Sequence, residues 1–212
     1  MLFLGGHLGQ GPSPGRGVRN AGRGPLPHFW DTMLNFVGQQ GPVAPKKPWP
    51  MDRANLHIAM IKAGTRAEFD MGRELFRQYL DSLDFDMGFQ DVDRELKELE
   101  VGYNAPGGAL FLALDRNDGR GVGCIGVRRF DARAAELKRM YILPSHRGLG
   151  LGKKLLGLAL EEARRLGYST VLLDSDSRME TALGLYRAFG FVPTGAYRFN
   201  PLEGAVYMIK EL

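Results

Sequence analysis

Arg147-Gly148-Leu149-Gly150-Leu151-Gly152-Lys153 joins a predicted strand, 136–143, to a predicted helix, 150–166. Three glycines at a helix mouth let the backbone come close to a ligand. They also leave the first-turn N–H groups free to point at an anion, with the helix dipole behind them. The pattern predicts a cradle for a pyrophosphate-bearing ligand. Two familiar cradles fail on spacing. A P-loop needs Gly-x-x-x-x-Gly-Lys-Ser/Thr, but Gly152-Lys153 is followed by Lys154, and Arg147 holds the first glycine's place. A dinucleotide fingerprint needs Gly-x-Gly-x-x-Gly, and the chain has Gly-x-Gly-x-Gly. Asp174 does follow about twenty residues on, where such a fold places an acid. However, the first strand of that fold is buried on both faces and mostly apolar. The strand here reads Glu136-Leu137-Lys138-Arg139-Met140-Tyr141, with three charges, and it starts too late in the chain to leave room for a dinucleotide domain.

Outward from the loop, periodicity predicts the remaining elements. Towards the N-terminus these are a strand at 56–62, a helix at 66–83 capped by Thr65, and a charged helix at 90–100. Strands follow at 109–114 and 121–130, separated by the turn Arg116-Asn117-Asp118-Gly119. Beyond the loop lie a strand at 169–173, a helix at 179–189, a short strand at 191–193 and a closing strand at 205–212. The order is β-α-α-β-β-β-α-β-α-β-β, which predicts an α/β (α+β mixed) fold with helices on both faces of a mixed sheet.

Arg147-x-x-Gly150-x-Gly152 is similar to the Gln/Arg-x-x-Gly-x-Gly/Ala loop of the GNAT N-acetyltransferases. Leu137-Lys138-Arg139-Met140-Tyr141-Ile142-Leu143-Pro144 resembles the central strand of that family. Ala182-Leu183-Gly184-Leu185-Tyr186-Arg187-Ala188-Phe189-Gly190-Phe191 resembles its A-x-x-L-Y-x-x-x-G-F segment. The likeness spans about 56–212 and is strongest over 136–191. It implies a mostly antiparallel sheet with a splayed central strand, and acetyl-coenzyme A as the cofactor that donates the acetyl group. It implies backbone contacts to that donor from Met140, Tyr141 and Ile142, and a pyrophosphate site formed by Arg147, Gly148, Leu149, Gly150, Leu151, Gly152 and Lys153. The activity it implies is acetyl transfer to a primary amine of a small molecule or peptide by direct attack. The alternative on the same fold is a non-catalytic acyl-coenzyme A sensor.

Acetyl transfer needs a polarised thioester, a neutral amine and a proton for the leaving thiolate. By the resemblance, Tyr186 is the acid. A phenol with a reference pKa near ~10 can donate once the thiolate forms; an aromatic in the core is the bland alternative. For the base, Glu136 at the strand start is one candidate and a salt bridge there is its equal. Asp174 and Asp176, after the next strand, fit either substrate binding or a helix cap. The ending Tyr197-Arg198-Phe199-Asn200-Pro201-Leu202-Glu203-Gly204 resembles the acceptor-side loop of a GNAT subgroup. It makes Tyr197 and Asn200 candidate substrate contacts, although Asn-Pro also reads as a turn. Phe85, Met87, Phe89 and Tyr103 are expected to form the opposite wall.

The composition bounds the rest. Of the 212 residues, 44% are hydrophobic and 25% charged, as in an ordinary globular protein. The single cysteine, Cys124, excludes an internal disulfide and points to a reducing, cytoplasmic setting. Apolar runs are too short for a spanning helix, so no membrane partner is expected. The net charge of +4 belongs entirely to residues 1–53, which hold six Lys/Arg and two Asp/Glu. Residues 54–212 are neutral and lack a basic footprint, so no nucleic-acid partner is expected. No metal is indicated, and both a monomer and a homodimer remain open. Residues 1–53 read as a flexible Gly/Pro-rich leader with a short helix near 28–38, and Met51 offers an alternative start. Residues 54–212 read as the catalytic domain.

Overall fold

The computed structural model describes residues 57–84 and 88–212. The leader, its helix at 28–38, Phe85 and Met87 lie outside them. Seven strands are β1 (Ile58–Lys62), β2 (Ala109–Asp115), β3 (Gly121–Arg129), β4 (Ala134–Ile142), β5 (Thr170–Asp176), β6 (Val192–Pro193) and β7 (Ala205–Glu211). They form one sheet in the order β1-β2-β3-β4-β5-β7-β6. Only β4 and β5 run parallel; every other pair is antiparallel. The helices are α1 (Arg66–Asp81), α2 (Val92–Lys97), α3 (Leu99–Gly102), α4 (Leu151–Arg165) and α5 (Glu180–Ala188). None among the described residues is long and apolar enough to cross a membrane.

Sequence pattern explains the layering. β2 is apolar at nearly every position because both of its faces are covered. Ala109, Phe111 and Ala113 pack with Leu155, Leu156 and Ala159 of α4. Leu110, Leu112 and Leu114 pack with Phe69, Leu75 and Phe76 of α1. Each buried leucine side chain stabilises by about 1.5–3 kcal/mol. α1 starts where predicted, because Thr65 and Glu68 form a capping box. The Thr65 hydroxyl accepts from Glu68 N–H at 3.3 Å, and the Glu68 carboxylate accepts from Thr65 N–H at 2.9 Å.

Two departures from the sequence-based expectation matter for the site. The charged helix predicted at 90–100 is broken into a turn at Gly88–Gln90 followed by α2 and α3. Asp91 takes a left-handed conformation (φ 51°) and Glu98 leaves the helical region. The breaks aim Leu99 and Tyr103 into the core, where both are buried. The second departure is a bulge in β4. Tyr141 pairs with Cys124 and Lys138 with Gly126, so Arg139 and Met140 together face Ile125. Arg139 carries the irregularity at φ 56°, unusual for a residue with a side chain. The extra residue reverses the alternation. Ala135 and Leu137 face the α4 side before the bulge, Met140 and Ile142 after it, and Tyr141 faces the α1 side.

Candidate functional site

The bulge bends β4 away from its parallel neighbour. β4 and β5 are paired only from Ala134↔Thr170 to Glu136↔Leu172. Past Glu136 that edge of β4 has no ladder partner among the described strands, which leaves its N–H and C=O groups available. The gap opens into a cleft of about 750 Å³. Met140, Tyr141 and Ile142 line one bank, and Glu180, Thr181, Ala182 and Leu185 of α5 the other. Arg147, Gly148, Gly150, Leu151, Gly152 and Lys153 close its end.

The loop has the geometry its glycines predict. Gly148 and Gly150 stand at φ 79° and 73°, where a side chain is strained. A Cβ at either would meet no protein atom within 4 Å, so conformation and not packing demands glycine. Gly150 caps α4 with no side-chain hydrogen bond. The N–H groups from Gly148 to Lys153 have no acceptor among the described residues. Unpaired donors around open space at the start of a 15-residue helix suit a pyrophosphate. Leu149 differs from its neighbours, because its side chain packs against the core. Lys153 is exposed on the cleft. Arg147 turns back onto β4: its Nε donates to Ile142 C=O at 3.0 Å and its guanidinium lies 5.9 Å from the Tyr141 ring centre. It therefore braces the loop against the strand, and occupies one of the carbonyls expected to face the donor.

A small polar chamber of about 60 Å³ adjoins the cleft, and Tyr79, Met140, Met179 and Ala182 border both. Lys138, Asp174, Gln90, Asn200 and Tyr186 line it as well, together with Arg139 and Asp176. Lys138 Nζ donates to Gln90 Oε1 at 2.8 Å and Asp174 Oδ1 at 3.2 Å. Asp174 Oδ2 accepts from Gln90 at 3.0 Å and Asn200 at 3.3 Å. Burial alone would raise the Asp174 carboxyl, but the Lys138 and Arg198 charges outweigh it and hold the group below the usual carboxylate range. In the chamber wall, buried Arg139 is paired with Glu95, its Nε at 3.0 Å from the carboxylate. Burial pushes the Tyr186 phenol above the ordinary range, and its hydroxyl has no partner among the described residues. Tyr186 and Asp174 thus lie where the sequence placed them, and Asn200 joins them.

Glu136 and Tyr197 do not. Glu136 is fully buried, with Arg128 Nε at 2.9 Å, Arg198 at 2.9 Å and the Tyr197 hydroxyl at 3.1 Å. Two guanidiniums and a phenol occupy the carboxylate, so of the two readings the structure shows the salt bridge. Glu136 is the last residue of β4 paired with β5, and it does not line the chamber. Tyr197 uses its hydroxyl on Glu136, and its ring packs edge-on against Phe130 and Tyr207. It lines neither the cleft nor the chamber. Tyr103, expected in the wall, is buried against Phe76 with its hydroxyl on Glu95. Asp176 shapes the turn before α5 by accepting from Arg178 N–H at 2.9 Å. Sequence reasoning missed Lys138, Arg139, Gln90 and Glu95. The signal for the first two was present: charges on a central strand must be buried and paired.

A splayed strand, a glycine loop and a tyrosine on the facing helix now stand together. Residues 73–191 match the family model described as acetyltransferase (GNAT) family. The chain belongs to this family. An uncharacterized N-acetyltransferase of Schizosaccharomyces pombe is 34% identical over 163 residues, covering 76% of this chain and 98% of that protein. Among solved structures, a GNAT acetyltransferase of Staphylococcus aureus aligns with TM-score 0.61 at 23% identity, over 73% of this chain and 99% of that one. A Salmonella typhimurium protein solved with its cofactor acetyl-CoA aligns with TM-score 0.55 at 20% identity, over 73% and 94%. The two structural likenesses are likenesses of fold; the GNAT assignment rests on the family match and the yeast relative.

Proposed function

We propose that the protein transfers an acetyl group from acetyl-coenzyme A to a primary amine of a small molecule or peptide, by direct attack and without a covalent enzyme intermediate. The shared walls of cleft and chamber carry this reading: a ligand in one meets a ligand in the other at Met140 and Ala182. The Salmonella typhimurium neighbour's acetyl-CoA supports the choice of donor. That donor supplies a thioester carbonyl. The amine lone pair forms the C–N bond, the C–S bond breaks, and the thiolate takes up a proton. Free backbone donors on splayed β4, near Met140 to Ile142, are available to the oxygen on which charge develops. Tyr186, raised by burial, stays protonated at all working pH values. It is a weak acid, so its contribution is a hydrogen bond to the sulfur as negative charge grows there. Asp174 stays ionised and binds the amine; the amine proton leaves through water.

Incubating the full chain with acetyl-coenzyme A and a panel of primary amines tests this. Amine-dependent thiol release with acetylated product is expected, and Tyr186→Phe should lower turnover about a hundredfold at unchanged donor Kd. Tight donor binding without release on any amine would favour the acyl-coenzyme A sensor. Equal turnover in Tyr186→Phe across the pH range would remove Tyr186 from the step.

A further inference from the structure

Lys138 and Asp174 form the floor of the chamber, and each keeps one unused valence. An ammonium has three N–H donors. Lys138 spends two, on Gln90 Oε1 and Asp174 Oδ1, and no third acceptor exists among the described residues. Its side chain is only 4% exposed, so the remaining donor is directed into the chamber and not into bulk water. A carboxylate has about four acceptor sites. Asp174 fills three, with Lys138 on Oδ1 and with Gln90 and Asn200 on Oδ2. Its side chain is 6% exposed. One donor and one acceptor therefore stand side by side, 3.2 Å between the two atoms, in a buried space. A buried charged group with an unmet hydrogen bond is costly, and a ligand that meets it gains correspondingly.

We propose that the acceptor is a zwitterion, an amine with a carboxylate close beside it as in an α-amino acid, its amine on Asp174 Oδ1 and its carboxylate on Lys138 Nζ. The proposal rests on the acetyltransferase reading and names the acceptor class for it. A lone amine would satisfy Asp174 and leave Lys138 unmet; a lone carboxylate would do the reverse. A ligand with both charges a few bonds apart completes the pair with a charge-assisted hydrogen bond at each end. The chamber agrees in size. About 60 Å³ is several times the ~10–15 Å³ that one ordered water requires, so it admits a small head group and no bulky ring. The transfer remains balanced. The amine nitrogen bonds to the acetyl carbon and the C–S bond breaks. Of the ammonium's three protons, one stays on the amide, one ends on the thiol and one leaves to solvent.

The test is thiol release from acetyl-coenzyme A by the full chain with matched acceptors: α-amino acids, their α-carboxamides and the corresponding decarboxylated amines. The free acids should exceed both partners in kcat/KM by about tenfold or more. Lys138→Gln should bring the acid-to-amide ratio close to one while the acetyl-coenzyme A Kd is unchanged. Amides or decarboxylated amines that match or exceed the acids in the unaltered protein would overturn the inference alone, whether or not Lys138→Gln folds. Release with no amine of any kind would overturn the acetyltransferase reading and the inference with it.

Discussion

The cleft and the chamber share four residues and little else. The cleft is roomy, at about 750 Å³, and its ligand-facing chemistry is main-chain: the free edge of β4 and the donors of Gly148 to Lys153. The chamber is small, at about 60 Å³, and its chemistry is side-chain: Lys138 with Asp174, backed by Arg139 with Glu95. Backbone donors need only the right φ and ψ, so a short local pattern specifies them. Buried ion pairs need partners from distant segments, so no local pattern does. On the proposed function, the first surface would hold the constant donor and the second would select the acceptor.

The sharpest way to break this contrast is to remove the support of the chamber. Glu95→Ala strands the Arg139 guanidinium, whose side chain is 2% exposed, in the protein interior. Loss of one member of a buried pair costs about 3–5 kcal/mol. Urea unfolding should show that drop; a loss within about 1 kcal/mol would mean that the pair is not what holds the bulge. The complementary change is Gly150→Val, which forces a β-branched residue into the left-handed region at a cost of about 1–2 kcal/mol. Acetyl-coenzyme A should then bind about tenfold more weakly, by calorimetry, with the acceptor KM unchanged. A shift in the acceptor KM of similar size would merge the two regions into one. The smallest effect concerns pH. The folded-state pKa of Asp174 lies below its unfolded value, so its contribution to stability is present above about pH 4 and fades as pH falls through the folded value. Asp174→Asn should flatten that part of the stability curve below about pH 4. The offset from the unpaired Lys138 does not vary over that range, so only the slope is read. An unchanged slope would show that other carboxylates carry the acid loss.

The same contrast decided what could be read from the sequence. The glycine spacing, the strand before it and the segment around Tyr186 lie within 56 consecutive residues and identify the donor side. Element order was legible too, down to the Thr65 cap. Where the reading failed, the cause lay far along the chain. Base and salt bridge stand equal for Glu136 in the sequence because nothing nearby announces Arg198 and Tyr197, which reach it from about sixty residues away. Gln90 meets Asp174 across 84 residues, and Glu95 meets Arg139 across 44. The bulge had no local mark either, since its left-handed residue is an arginine and not a glycine. Gly126, opposite Lys138, is explained by another contact: a Cβ there would come within 2.3 Å of the Tyr103 ring.

The reversed alternation of β4 also bears on how this scaffold can be retargeted. Upstream of Arg139, the even-numbered positions Glu136 and Lys138 face away from α4; downstream, Met140 and Ile142 face towards it. A single strand thus carries two independently phased stretches. On the proposed function, a substitution at 138, which lines the chamber, would recast the acceptor head group while leaving Ile142 on the cleft in place. An insertion or deletion of one residue between them would exchange the two roles and lose both. For a laboratory seeking new acceptors, the length of the bulge is the parameter to hold constant.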